Sequence, residues 1–123
     1  KLVGKRDEVL AIERDVEHNV GENFRKGLHT LNQNWHGIKP AFATSSGGLH
    51  PGLIPYVMNL LGNDIAIQLG GGIHGHPNGS KSGAIAMRHA IDAVMNNISL
   101  REYSKKSSEL SMALEKWGYI RPK

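Results

Sequence analysis

Two apolar patterns alternate along the chain, one at helical spacing and one in short continuous runs. Between Arg6 and His18, Val9, Ile12 and Val16 recur at helical spacing and predict a helix with those three residues on its buried side. Val20 to Lys39 is polar and broken by Gly21, Gly27 and Gly37, which predicts a long connection with little regular structure. Pro40 to Thr44 is a short apolar run that ends in Ser45-Ser46-Gly47-Gly48, a strand running into a loop. Helical spacing then resumes: Pro51 suits a first turn, Leu53, Ile54, Val57, Leu60 and Leu61 make the stripe, and Gly62 is the stop. A second run, Ile65 to Leu69, ends in Gly70-Gly71-Gly72. Gly83 to Asn96 reads as a helix with Met87, Ala90, Ile91, Val94 and Met95 inward. A last helix starts at Ser99, where Ser99-Leu100-Arg101-Glu102 matches a capping box. It carries Tyr103, Leu110, Leu114 and Trp117 on its apolar face and stops at Gly118.

Strands alternating with helices predict βαβ units and a parallel sheet, so the fold class is α/β. Continuous apolar runs fit strands buried on both faces. Two strands do not complete such a sheet, and a (β/α)8 barrel takes about 250 residues where this chain has 123. The chain therefore reads as the end of a larger protein that would not fold well alone.

Composition narrows the classes. With 39% apolar and 21% charged residues the chain is globular in character. It has no cysteine, which excludes a disulfide scaffold, a cysteine-based zinc site and a thiol nucleophile. No apolar stretch approaches the roughly 20 residues of a membrane span. The charged start KLVGKRDEV lacks the apolar core of a signal peptide. A cytoplasmic protein without a membrane partner is the expectation.

The net charge of +4 is unevenly spread. From Ala41 to Asn97 the formal charges are Asp64, Lys81, Arg88 and Asp92, which cancel, and most of the 15 glycines lie there. The surplus sits mainly in the last helix and tail, where Arg101, Lys105, Lys106, Lys116, Arg121 and Lys123 face Glu102, Glu109 and Glu115. Basic residues interspersed with Glu at helical spacing read as a solvated face rather than a nucleic-acid surface.

Each apolar run ends in a glycine cluster that precedes a helix. In parallel α/β folds ligands bind at the carboxyl ends of the strands, and in barrels the loops after strands seven and eight often hold a phosphate. Glycines let bare N–H groups approach phosphate oxygens. One cluster alone would be an ordinary tight turn; two at equivalent positions of adjacent strands point to a shared phosphate site. Ser46 is either a turn residue or a hydroxyl donor to a substrate oxygen. His74 and His76 have the His-x-His form of a metal motif, with His50 and His89 as possible helpers, but no carboxylate lies near them in sequence. They read better as loop-orienting groups bonded to backbone or water. No G-x-S-x-G elbow supports a serine nucleophile, and Trp35 and Trp117 read as packing residues.

The stretches ATSSGGLHPG and IQLGGGIHGHPNGSKSGAIAMRHAIDAVM, and the later EYSKKSSELSMALEKWG, resemble the C-terminal part of the large chain of ribulose-1,5-bisphosphate carboxylase/oxygenase (RuBisCO), most closely the archaeal type III enzymes. The likeness is strongest from Pro40 to Gly118. It implies barrel strands seven and eight with their helices over 1–118 and a C-terminal tail over 119–123. It implies carboxylation of ribulose bisphosphate with CO2 and water to two 3-phosphoglycerates, with O2 competing, in a pathway of nucleotide-ribose (AMP) salvage. Carried over by residue, Ser46 would bind substrate, with Gly47 and Gly48 completing its loop. Gln68, Leu69, Gly70 and Gly71 would hold one phosphate through backbone N–H groups. Lys1-Leu2-Val3-Gly4 resembles the mobile sixth loop, whose lysine, here Lys1, stabilises charge on the incoming carboxylate. The family's usual Lys-Leu-Glu-Gly has an acid where this chain has Val3, which bears on loop closure.

The resemblance further implies Mg2+ held upstream of this segment on a carbamylated lysine site, so no metal ligand is assigned here. It also implies a homodimer or higher homo-oligomer with active sites shared between subunits. The isolated segment would be inactive. The alternatives are a RuBisCO-like enolase or isomerase of methionine salvage, and a non-catalytic subunit of a split enzyme.

Overall fold

The computed structural model describes residues 6–17 and 36–119. Lys1, Trp35 and nearly all of the polar connection expected from Val20 to Lys39 lie outside the described residues. The elements in chain order are α1 (Arg6–Glu17), β1 (Ala43–Ser45), a 3-10 turn (Pro51–Leu53), α2 (Ile54–Leu61), β2 (Ile65–Ile67), a single-turn α3 (Gly71–His74), α4 (Gly79–Met95), α5 (Leu100–Ser104) and α6 (Ser108–Trp117). β1 and β2 pair in parallel, with Ala43 opposite Ile65 and Ser45 opposite Ile67. The parallel α/β arrangement expected from the alternating pattern is present.

The core lies between the sheet and the helices. Ile54 and Met58 from α2, Met87, Ala90 and Ala93 from α4, Leu100 from α5, and Leu110 and Leu114 from α6 form one buried cluster. Ile65, Ile67 and Leu69 from the β2 run pack against it. The strands differ from expectation in having one covered face. Ala43, Ser45, Ile65 and Ile67 are half-buried, whereas Thr44 and Ala66, which point the other way, are exposed. With side chains alternating across a strand, helices on one side can cover only every second residue.

Other departures are local. On α1 the expected stripe is rotated: Leu10 and Glu13 are buried, while Ile12 is 62% and Val16 38% exposed. α1 packs on α2 and β1, and the buried Leu10 and Glu13 rather than Ile12 and Val16 lie on its covered side. Met95, expected inward, is exposed at the end of α4. α4 starts at Gly79 rather than Gly83, and Gly83 lies inside it where it packs against α3: a Cβ there would lie 2.1 Å from the Ile73 carbonyl oxygen. The single last helix is two helices. Ser99 caps the first by accepting from the Glu102 N–H, and Ser107 restarts the second by accepting from the Leu110 N–H.

Candidate functional site

Register determines what the two glycine clusters can do together. Because Ser45 faces Ile67, the loops after β1 and β2 leave the sheet side by side at its carboxyl end. The pairing runs one step further, with the Gln68 N–H donating to the Ser45 carbonyl at 2.9 Å. Ser46 and Gln68 therefore open the two loops from adjacent backbones, and the side chains of both are exposed.

The glycines in these loops serve different ends. Gly47 and Gly48 have consecutive positive φ angles of +88° and +65°, a backbone path that side-chain-bearing residues rarely follow. Space is not their constraint, since a Cβ at either position would meet nothing within 4 Å. In the triplet, Gly70 and Gly71 are exposed and likewise face open space. Gly72 is buried: a Cβ there would stand 2.1 Å from the Leu49 carbonyl oxygen and 2.9 Å from the His50 Cα. So one glycine seals the two loops together, and its two predecessors present bare backbone outward.

α3 starts in this bare segment. The Gly70 carbonyl accepts from Ile73 N–H at 3.0 Å and from His74 N–H at 2.9 Å, which closes the turn. The first N–H groups of any helix have no acceptor within it, so those of Gly71 and Gly72 depend on partners from outside the turn. Neither loop contributes a carboxylate, because 45–50 and 67–76 contain no Asp or Glu. N–H groups at a helix start, in loops that carry no carboxylate, suit an anion.

The histidines at this end bond to the protein. His76 is buried, donates from Nε2 to the Glu109 carbonyl at 2.9 Å and accepts at Nδ1 from the Asn78 N–H at 3.0 Å. These partners fix its tautomer. His74 Nδ1 pairs with the Ser80 hydroxyl at 2.8 Å, and His89 Nδ1 with the Ser107 hydroxyl at 2.7 Å. His50 is buried beside Trp117, with ring centroids 5.8 Å apart and 18° between planes. Burial holds its pKa below the ordinary histidine value of 6.5. Among the described residues no group of three His, Asp or Glu side chains is placed to hold a metal ion. The resemblance places its magnesium upstream of this segment, and none of the described residues is assigned as its ligand.

The fold and loops define an α/β protein whose two open glycine loops lie at the carboxyl edge of its parallel strands, the edge at which such folds commonly bind ligands. The model of the ribulose bisphosphate carboxylase large chain, catalytic domain, matches residues 1–117, and the chain belongs to that family. A ribulose bisphosphate carboxylase from Thermococcus onnurineus is 48% identical over 122 residues, which are 99% of this chain and 28% of that protein. The solved structure of a dimeric archaeal Rubisco from Hyperthermus butylicus superposes with a TM-score of 0.90 at 47% identity, over 96% of this chain and 28% of that one. A rubisco-like protein from Alicyclobacillus acidocaldarius superposes less well, with a TM-score of 0.63 at 44% identity over 65% of this chain and 20% of its own. This chain thus spans under a third of the length of the relatives it matches.

Sequence reasoning named Ser46, Gly47, Gly48, Gln68, Leu69, Gly70 and Gly71, and all seven lie at one end of the sheet. It missed the sealing role of Gly72 and the meeting of His50 with Trp117. Both are contacts between distant or separately folded segments, and nothing in local spacing signals them.

Proposed function

We propose that this chain is the closing part, strands seven and eight with their helices and tail, of the catalytic barrel of a cytoplasmic ribulose-1,5-bisphosphate carboxylase. The carrying observation is the in-register pairing of β1 and β2, which sets two open glycine loops beside each other within a chain of this family. In this reading the N–H groups of Gly47, Gly48, Gly70 and Gly71 grip phosphate, Gln68 and Leu69 carry the second loop to it, and Ser46 bonds a substrate oxygen. A hydrogen bond to a charged acceptor contributes about 1.5–3 kcal/mol, so a few such donors suffice for firm binding. Lys1 stabilises the charge that develops as CO2 adds. Mg2+ and the proton-transferring groups come from the preceding part of the barrel. O2 competes with CO2, and the working unit is a homodimer or larger homo-oligomer, as in the dimeric archaeal relative. Nucleotide-ribose salvage is the metabolic setting this family likeness favours.

The uncovered Thr44 and Ala66 face supports the barrel reading, since inward-pointing side chains of the other barrel strands would fill the space against it. The test is turnover by the full-length protein. Ribulose bisphosphate and labelled CO2 should give labelled 3-phosphoglycerate, and the 123-residue chain alone should give none. Enolisation of a related phosphorylated substrate without CO2 fixation would favour instead the salvage-type reading that the rubisco-like neighbour keeps open.

A further inference from the structure

The two loops are joined by a third element that belongs to neither βα unit, the carboxyl end of α6. The Trp117 ring stacks on His50 from the first loop and lies 6.5 Å from His76, at 57°, beyond the second. Lys116 next to it donates from Nζ to the Gly75 carbonyl at the end of α3. Gly75 and Gly52 have no side chain where α6 closes in. A Cβ on Gly75 would stand 3.4 Å from the Trp117 ring, and one on Gly52 would stand 1.9 Å from the Gly118 carbonyl oxygen. Two segments that must hold a fixed separation to grip one anion are thus both referenced to one indole.

Resting on the phosphate-gripping role proposed above, we propose that Trp117 is a positioning residue that fixes the loop after β1 relative to the loop after β2 through His50 and His76. It touches no substrate. Its effect is on affinity for the sugar bisphosphate, because a loop displaced by a fraction of an ångström weakens several N–H donors at once.

The chain also supplies a control that separates positioning from simple stability. Leu114 lies one turn earlier on α6 and is buried in the core cluster shared with α2 and α4. Leu114→Ala should loosen α6 without altering the ring contacts. In the full-length protein, binding of ribulose bisphosphate would be followed by calorimetry and KM by the carboxylation assay, with melting temperature alongside. Trp117→Leu should weaken binding about three- to tenfold and raise KM with kcat retained, the loss expected for an aromatic contact. Trp117→Phe, which keeps a stacking ring, should stay within about twofold of wild type. Leu114→Ala should lower the melting temperature with binding unchanged. Equal weakening by Trp117→Leu and Leu114→Ala at equal loss of melting temperature overturns the positioning role, as does a Trp117→Leu protein that binds like wild type. A wild-type protein that binds no sugar bisphosphate overturns the functional reading itself, and the positioning role with it.

Discussion

Gly71 and Gly72 are adjacent, identical and oppositely constrained, which makes them a sharp probe of the site. An alanine methyl at position 72 would start 2.1 Å from the Leu49 carbonyl oxygen and 3.0 Å from the Leu49 carbonyl carbon. Ordinary contact begins near 3.4 Å, so the two loops would have to part by about an ångström. Overpacking of this kind costs about 1–3 kcal/mol. The helix preference for alanine over glycine, about 1 kcal/mol at most in a single turn, offsets only part of it. At position 71 the methyl meets nothing within 4 Å, so the fold should be unchanged or slightly firmer. That methyl instead occupies the face on which a phosphate would rest. Losing one N–H bond to a charged oxygen costs about 1.5–3 kcal/mol, or roughly ten- to a hundredfold in affinity. Thermal melting and bisphosphate calorimetry on the full-length variants should therefore dissociate. Gly72→Ala should melt earlier, and Gly71→Ala should melt normally but bind weakly. A Gly71→Ala protein that binds as tightly as wild type would refute the bare-backbone grip. A Gly72→Ala protein of unchanged stability would refute the loop seal.

Three further outcomes follow from the same geometry. Ser46 is exposed, so Ser46→Ala should leave melting unchanged while raising KM several-fold, read in the carboxylation assay. Ser107 is 3% exposed, caps α6 and bonds His89, so Ser107→Ala should cost about 1–2 kcal/mol by denaturant titration. The more exposed Ser99 cap should cost less on substitution. His50 has a folded-state pKa below 6.5, so the unfolded chain takes up its proton first as pH falls. Its contribution is complete above 6.5 and is lost as pH drops from there toward the folded value. His50→Gln should flatten that part of a melting-temperature profile.

The sequence signals that succeeded were those set by local chemistry. The PAFAT and IAIQL runs located both strands to within a few residues, and Gly62 and Gly118 end their helices with positive φ angles of +82° and +67°. The Ser99 cap forms, although the Glu102 carboxylate reaches Lys105 at 2.6 Å in an exposed pair. Signals failed where packing overrode propensity. Gly71-Gly72 is poor helix sequence, yet the turn forms because the Gly70 carbonyl closes it and only a glycine fits against Leu49. The break between α5 and α6 was obscured because Tyr103, Leu110, Leu114 and Trp117 keep a helical spacing across a second serine cap at Ser107. The α1 stripe was misassigned because periodicity gives a face without naming what will cover it. The candidate site residues were named from the glycine clusters at the strand ends, and the structure brings Ser46, Gly47 and Gly48 to the same end of the sheet as Gln68, Leu69, Gly70 and Gly71. The packing of Gly72 on Leu49, beside the open Gly70 and Gly71, depends on three-dimensional proximity between segments about two dozen residues apart.

In the proposed function a sugar bisphosphate rests on bare backbone where the two loops meet. A crystal structure of the full-length protein with ribulose bisphosphate or a stable analogue bound tests it most directly. Phosphate oxygens are expected about 2.7–3.2 Å from backbone nitrogens among Gly47, Gly48, Gly70 and Gly71. A bisphosphate held elsewhere, with these four amides turned to solvent, would contradict it.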